Sequence, residues 1–280
     1  KNRDRDGGRR EQDGRIVGLE VQDQKDNSIH KLYAKKGVIL CTGGYGSNSA
    51  LMQKWNPQGL RTNAYSDSQR DDGSGLMAAI EVGAEKDDQP ASIVFDRAAI
   101  PVGTNVNDFY RIDTTPPNDP GYLWLGSYPF LKVNLNGERF MNESQPYQFD
   151  MNGSSLQPGS VEVTIWSEDT MQEKVLKKFH TLGCSRLGFP GIYKASEARK
   201  EVQDRIKDGL VKKANTIDDL AKQLHLPVDN LKKSITRYNQ ICQDGNDSDF
   251  GKEQYRLYPV NNGPYYGAWL SGRLLATLDG

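Results

Sequence analysis

Residues 37–48, Gly-Val-Ile-Leu-Cys-Thr-Gly-Gly-Tyr-Gly-Ser-Asn, constrain the fold more than any other stretch of this chain. Val38, Ile39 and Leu40 read as a short buried strand, which Thr42, Gly43 and Gly44 end abruptly. Open α/β sheets are built from such strands, and their ligands bind beyond the carboxyl ends of the strands. Two adjacent glycines remove both Cβ atoms, so the backbone can approach something flat or charged. An ordinary strand-to-loop turn would give the same residues. Cys41, at the end of the run, reads as a small buried hydrophobe.

Composition narrows the choices. The chain has 280 residues, enough for one large domain or two smaller ones. Apolar residues make up 36% and charged residues 26%, which fits a globular protein on the polar side. The net charge of −1 provides no field for nucleic acid. The basic residues among 1–10 alternate with acids, as in a solvated loop. Cys41, Cys184 and Cys242 form no C-x-x-C pair, and His30, His180 and His225 have no ligand spacing, so neither a disulfide framework nor a metal site is expected. No run of 18 apolar residues and no secretory signal is present, and the compartment stays open.

Periodicity and punctuation place the elements. Residues 14–23 and 30–40 alternate as strands, and Asn136-Gly137 is a hairpin signal between Leu131/Val133 and Phe140. A strand is expected over 161–166. Helices are expected over 76–82, 168–180, 196–208 and 228–243, with glycine stops at Gly83, Gly209 and Gly245. Ser196 is read as a cap, and Thr216-Ile-Asp-Asp219 as a capping box. Gly73-Ser-Gly75-Leu-Met-Ala78 fits a loose dinucleotide fingerprint, but residues 65–72 are too polar to be the buried strand that must precede it. It reads instead as a turn into a helix whose N-terminus could meet a cofactor phosphate.

Four segments in order, Thr42-Gly-Gly-Tyr-Gly-Ser-Asn48 with Asp72-Gly-Ser-Gly75, Gly137-Glu-Arg-Phe-Met-Asn-Glu143, Arg237-Tyr-Asn239, and Gly263-Pro-Tyr-Tyr-Gly-Ala-Trp269 ending in Thr277-Leu-Asp-Gly280, carry a resemblance. From about Gly14 to Gly280 the chain resembles the flavoprotein family of fumarate reductases and succinate dehydrogenases. That family includes soluble fumarate reductases, urocanate reductase and 3-ketosteroid Δ1-dehydrogenases. The resemblance implies an α/β flavin-binding domain, present in part over 1–98, an inserted α+β capping domain over 99–262, and a return to the flavin domain over 263–280. It implies that the chain opens and closes inside the flavin domain, since the G-x-G-x-x-G opening does not occur in it. The implied cofactor is FAD, held at Thr42, Gly43, Gly44, Asn48, Gly73 and Gly75. The implied partners are a small-molecule substrate with an activated double bond and an external electron donor or acceptor. Arg139 and Glu143 are read as fixing the hairpin by an ion pair or backbone bonds.

The same comparison singles out Tyr147 and Arg273 as catalytic candidates. Fumarate reductases carry a proton-donating Arg a few residues after N-E, and Tyr147 stands at that position. A tyrosine, with a reference pKa of about 10, is suited to donation at neutral pH; packing under the capping domain is the alternative. The upstream Glu and Arg of the fumarate reductase relay fall on Leu123 and Gly126, and Arg273-Leu-Leu-Ala stands where a dicarboxylate-binding histidine is expected. Arg273 suits a carboxylate or carbonyl, or a surface position. Asp279 replaces the first glycine of the family's closing T-x-G-G. The apolar, aromatic segment 122–130 suits a larger, less charged substrate than fumarate. The expected activity is hydride transfer between flavin and an activated C=C or CH–CH bond, as an ene-reductase on a non-fumarate substrate. Two alternatives are a 3-ketosteroid Δ1-dehydrogenase-like enzyme and a diverged paralogue or capping piece without catalysis.

Overall fold

The structure is a computed structural model that describes residues 11–12, 14–66, 71–106, 121–182 and 194–278. Strands β1 (Glu11–Gln12) and β2 (Arg15–Ile16) pair across a turn, and β3 (Gly18–Gln22) pairs antiparallel with β4 (Ile29–Tyr33). The strand expected to continue to Leu40 stops at Tyr33. Residues 37–44 join no sheet, Ile39 is 90% exposed, and Cys41 lies at the surface. The expectation of a buried strand there is therefore incorrect for the described residues. An apolar strand is buried only when a sheet supplies its backbone partners, and none of the described strands does so.

Helices α1 (Ser49–Trp55) and α2 (Pro57–Thr62) lead into β5 (Asn63–Ser66). Next come α3 (Ser74–Glu81) and β6 (Ala91–Ile100), then β7 (Leu131–Val133), α4 (Tyr147–Ser155) and β8 (Glu162–Ser167). Helices α5 (Glu173–Leu182) and α6 (Ala195–Lys207) precede β9 (Val211–Ala214), α7 (Ile217–Gln223), α8 (Val228–Asp244) and β10 (Tyr265–Leu278). Among the described residues, β10 is the hub of the larger sheet. Its first half pairs antiparallel with β8 and β9, and its second half pairs antiparallel with β6 and parallel with β5. Residues 266–274 are buried throughout, as expected for a strand covered on both faces. Gly267 belongs there because a Cβ would sit 2.6 Å from Leu224 Cδ1. Residues 98 and 99, where the sequence suggests a change of domain, lie inside β6.

Among the described residues, three apolar clusters fill the layers. Val133, Val163, Ile165 and Trp269 meet Leu231, Ile235, Tyr238 and Ile241, the apolar stripe of α8. On the other side, Tyr128, Phe130, Trp166, Met171 and Phe179 form an aromatic cluster with Leu123 and Leu125. Within the 122–130 segment, residues 123 and 125–130 are buried in this core, while Tyr122 and Trp124 are half-buried. A smaller cluster joins Tyr45 and Met52 to Val94, Met151 and Leu274.

Most of the expected caps and stops are present. Thr216 Oγ1 accepts from the Asp219 amide at 3.1 Å, and Gly245 closes α8 at φ 67°. Gly137, at φ 76°, turns the chain after β7, although the returning side contributes a single bridge at Arg139. Ser196 is not a cap; α6 begins one residue earlier, with Lys194 at the N-cap and no side-chain bond there. Residues 168–171 form a 3-10 turn, so α5 starts later than the apolar spacing suggests. Leu231→Ala should cost about 2–5 kcal/mol of unfolding free energy by urea titration, because the fully buried side chain leaves a cavity between α8 and β7. Phe149→Ala, at a position 68% exposed, should stay within about 0.5 kcal/mol.

Candidate active site

The glycines expected to hold a cofactor fold into one knot. Tyr45 donates its amide to Thr277 Oγ1 at 3.1 Å, and Gly73 donates to the Gly44 carbonyl at 3.0 Å. A Cβ on Gly44 would overlap Thr277 Oγ1, and one on Gly75 would overlap Thr42 Oγ1. Gly44, Gly73 and Gly75 therefore let the 42–48 loop, the 71–75 turn and the end of β10 approach one another. Asn48 caps α1: its Oδ1 accepts from the Leu51 amide and its Nδ2 donates to the Asp72 carbonyl. Thr42 and Gly43 are the exposed residues at the start of the knot. At the N-terminus of α3, where a phosphate contact is expected, one amide is already engaged within the chain. Asp72 already accepts from the Ser74 amide at 2.9 Å, and that bond holds its carboxyl below the ordinary range.

Tyr147 and Arg273 are brought together through two residues that the sequence reading did not single out, Arg97 and Tyr122. Residues 121–123 run along β6, with the Ala99 amide bonded to Gly121 and the Leu123 amide bonded to Arg97. This pairing sets Tyr122 beside Arg97. Tyr147 is the first residue of α4, directly after Pro146, and only 2% of it is exposed. The Arg97 guanidinium donates from Nη1 to the Tyr122 hydroxyl and from Nη2 to the Tyr147 hydroxyl, both at 3.0 Å. Its Nε donates to Ser127 Oγ at 2.6 Å, and that hydroxyl donates to Asp96. The guanidinium lies 4.0 Å from the Trp124 ring centre and 4.7 Å from that of Phe95. Arg273, 7% exposed, stands on β10 with its guanidinium 4.9 Å from the Tyr122 ring centre. Burial alone would weaken the charge on Arg97; Tyr122, Tyr147 and Asp96 together raise its pKa.

Behind Asp96 lies a fully buried charge cluster. Lys132 Nζ sits 3.0 Å from Asp96, 2.5 Å from Asp150 and 2.7 Å from Glu162. Burial works against its charge, but the surrounding carboxylates, Asp150 first, hold it protonated. Three carboxylates exceed what one ammonium can neutralise. Burial and neighbouring Glu162 push Asp150 well above the usual carboxylate range, and burial raises Glu162 as well. Asp96 is drawn below its ordinary value: burial opposes this most strongly, and Lys132, the bonds from Asp150 and Ser127, and Arg97 together outweigh it. A second network fixes the hairpin, with Arg139 bonding Glu143 at 2.7 and 2.9 Å and Asp247 at 3.0 and 2.7 Å. Lys252 adds a bond of 3.1 Å to Glu143. Leu123 and Gly126, at the fumarate reductase relay positions, are buried and offer no titratable group. Asp279 falls outside the described residues.

One signal could have led to Arg97. Asp96-Arg97 interrupts an otherwise apolar strand, Ala91–Ile100, and a charged pair at buried strand positions requires partners. Comparison with known proteins places the chain in a family. The model of the FAD binding domain family matches residues 9–280. Vinyl phenol reductase of Lactiplantibacillus plantarum is 30% identical over 283 residues, covering 96% of this chain and 53% of that protein. The 3-oxosteroid 1-dehydrogenase of Mycolicibacterium smegmatis is 27% identical, covering 96% of this chain and 47% of its own length. This chain thus spans about half the length of these relatives. The fold is shared with 3-ketosteroid delta1-dehydrogenase from Sterolibacterium denitrificans at a TM-score of 0.68 and 20% identity, over 95% of this chain and 46% of that one.

The buried cluster gives a stability test. Asp150 has a raised pKa when folded, so the stability it contributes is fully present below the unfolded carboxylate value of about 4 and is lost as pH rises through the folded value. Asp150→Asn fixes the neutral state. Urea unfolding of both proteins between about pH 5 and pH 8 should show the difference in stability moving in the variant's favour as pH rises. A pH-independent difference would mean that Asp150 carries no extra proton in the fold.

Proposed function

The chain belongs to the FAD binding domain family, and from that premise we propose that the whole protein is an FAD-dependent ene-reductase acting on a substrate other than fumarate. FAD, the family's cofactor, supplies or accepts the hydride. Within this chain the exposed residues Thr42 and Gly43 fit a flat ring, while Asn48, Gly73 and Gly75 shape the loop behind it. On the substrate side, Tyr147 carries the proton and Arg273 polarises an electron-withdrawing oxygen. The observation that carries this reading is the bond between the Tyr147 hydroxyl and Arg97 at 3.0 Å, which keeps a proton-carrying oxygen in one orientation.

Similarity to vinyl phenol reductase supports a reductase whose substrate is not a dicarboxylate. The Leu123 and Gly126 positions support it too, because a relay of ionisable groups through them is excluded by their chemistry. An electron donor outside this chain completes the cycle. With FAD bound as the hydride source, Tyr147 would give its proton to the carbon of the double bond that does not receive the hydride, and its phenolate would then be reprotonated from solvent.

A second reading runs the reaction in reverse. A guanidinium bonded to a phenol oxygen also favours the phenolate, which would serve as a base for dehydrogenation, and 3-oxosteroid 1-dehydrogenase is a relative at 27% identity. Anaerobic assays of the full-length, FAD-loaded protein separate the two directions: reoxidation of reduced flavin by a hydroxystyrene supports the first, and flavin reduction by a 3-ketosteroid supports the second. In either direction Tyr147→Phe should retain FAD and lose about 10²–10⁴ in the substrate half-reaction, with flavin reduction by dithionite unchanged. Turnover of Tyr147→Phe at the wild-type rate would remove Tyr147 from the mechanism.

A further inference from the structure

We propose that Arg97 is the positioning residue that sets the charge state and direction of the Tyr147 hydroxyl, an inference that rests on Tyr147 being the proton carrier. Arg97 is anchored more firmly than a packing residue requires. Its three donor groups reach Tyr147, Tyr122 and Ser127, and its planar face is covered by Trp124. Ser127 bonds in turn to Asp96, whose other oxygen is tied to Lys132 at 3.0 Å. The guanidinium therefore cannot swing away, and a fixed cation aimed at a phenol oxygen stabilises the phenolate that remains once the proton has gone. A lysine could not reproduce the fork that serves both tyrosines at once.

The other charged and titratable groups around Tyr147 do not replace this role. Asp96 shares β6 with Arg97 and is engaged by Ser127 and Lys132. On α4 itself, Asp150 points to Lys132, with Glu162 on the far side of that ammonium. From β10, Arg273 addresses the ring of Tyr122. Arg61 on α2 is exposed. Arg97 donates directly to the Tyr147 oxygen, at 3.0 Å.

The test uses full-length, FAD-loaded protein carrying tyrosine labelled with carbon-13 at Cζ, with the Tyr147 resonance assigned by its loss in Tyr147→Phe. In the wild type, Tyr147 should titrate below the ordinary tyrosine value of about 10. Arg97→Gln should move that titration, and the matching limb of the pH–rate profile, upward by about 1–3 pH units. Arg97→Lys should recover part of the shift. Ser127→Ala, which only loosens the anchor, should give a smaller shift in the same direction and serves if Arg97→Gln does not fold. A wild-type titration at or above about 10, or one unmoved by Arg97→Gln or Ser127→Ala, overturns the proposal. These spectra are read without turnover. An inactive Tyr147→Phe with an unmoved titration therefore sinks Arg97 alone, whereas an active Tyr147→Phe sinks the catalytic reading and leaves the titration to decide what Arg97 does.

Discussion

The antiparallel ladder between β6 and β10 is the constraint on which the rest of this site depends. It pairs Arg273 with Phe95 and Ser271 with Ala98, so Arg97 and Arg273 are held on neighbouring strands by backbone bonds. Further along β10, Thr277 pairs with Ser92 and receives the amide of Tyr45. One strand thus reaches from the 42–48 loop to the side chains around Arg97. Its pairing is locally irregular around Ser271–Arg273 and Leu274–Ala276, where the register shifts.

Such a site is costly to assemble. Lys132, Asp96, Asp150 and Glu162 are all buried, and taking charges from water costs several kcal/mol per ion before their mutual attraction is counted. An apolar cluster of similar volume would be at least as stable. The cluster instead gives Asp96 a fixed charge, and Asp96, through Ser127, fixes Arg97. On this account the expense goes into orientation: two tyrosine hydroxyls held at 3.0 Å by one guanidinium.

The periodic elements were legible in the sequence because their information is local. Helix α8, its glycine stop and the Thr216 cap follow from spacing and from single side chains. The 38–40 strand was misread because burial of an apolar run depends on partners that local sequence does not contain. Segment 122–130 divides in a way that local pattern does not announce: Leu123, Leu125, Tyr128 and Phe130 enter the core, while Tyr122 and Trp124 meet Arg97. Tyr147 and Arg273 could be picked out by motif position, and Arg97 could not. Its importance arises from the pairing of 121–123 with β6, a contact over some 25 residues that no local pattern announces. The acidic residues around Lys132 are scattered for the same reason, between positions 96 and 162.

The central claim is that Tyr147, steered by Arg97, delivers or removes the proton opposite the flavin. A structure of the full-length protein with FAD and an unreactive substrate analogue tests it most directly. The account predicts the Tyr147 hydroxyl within about 3–3.5 Å of the carbon that exchanges the proton, with the flavin on the opposite face of the double bond. An analogue bound over the flavin but out of reach of Tyr147, with another acid in contact with that carbon, would contradict it.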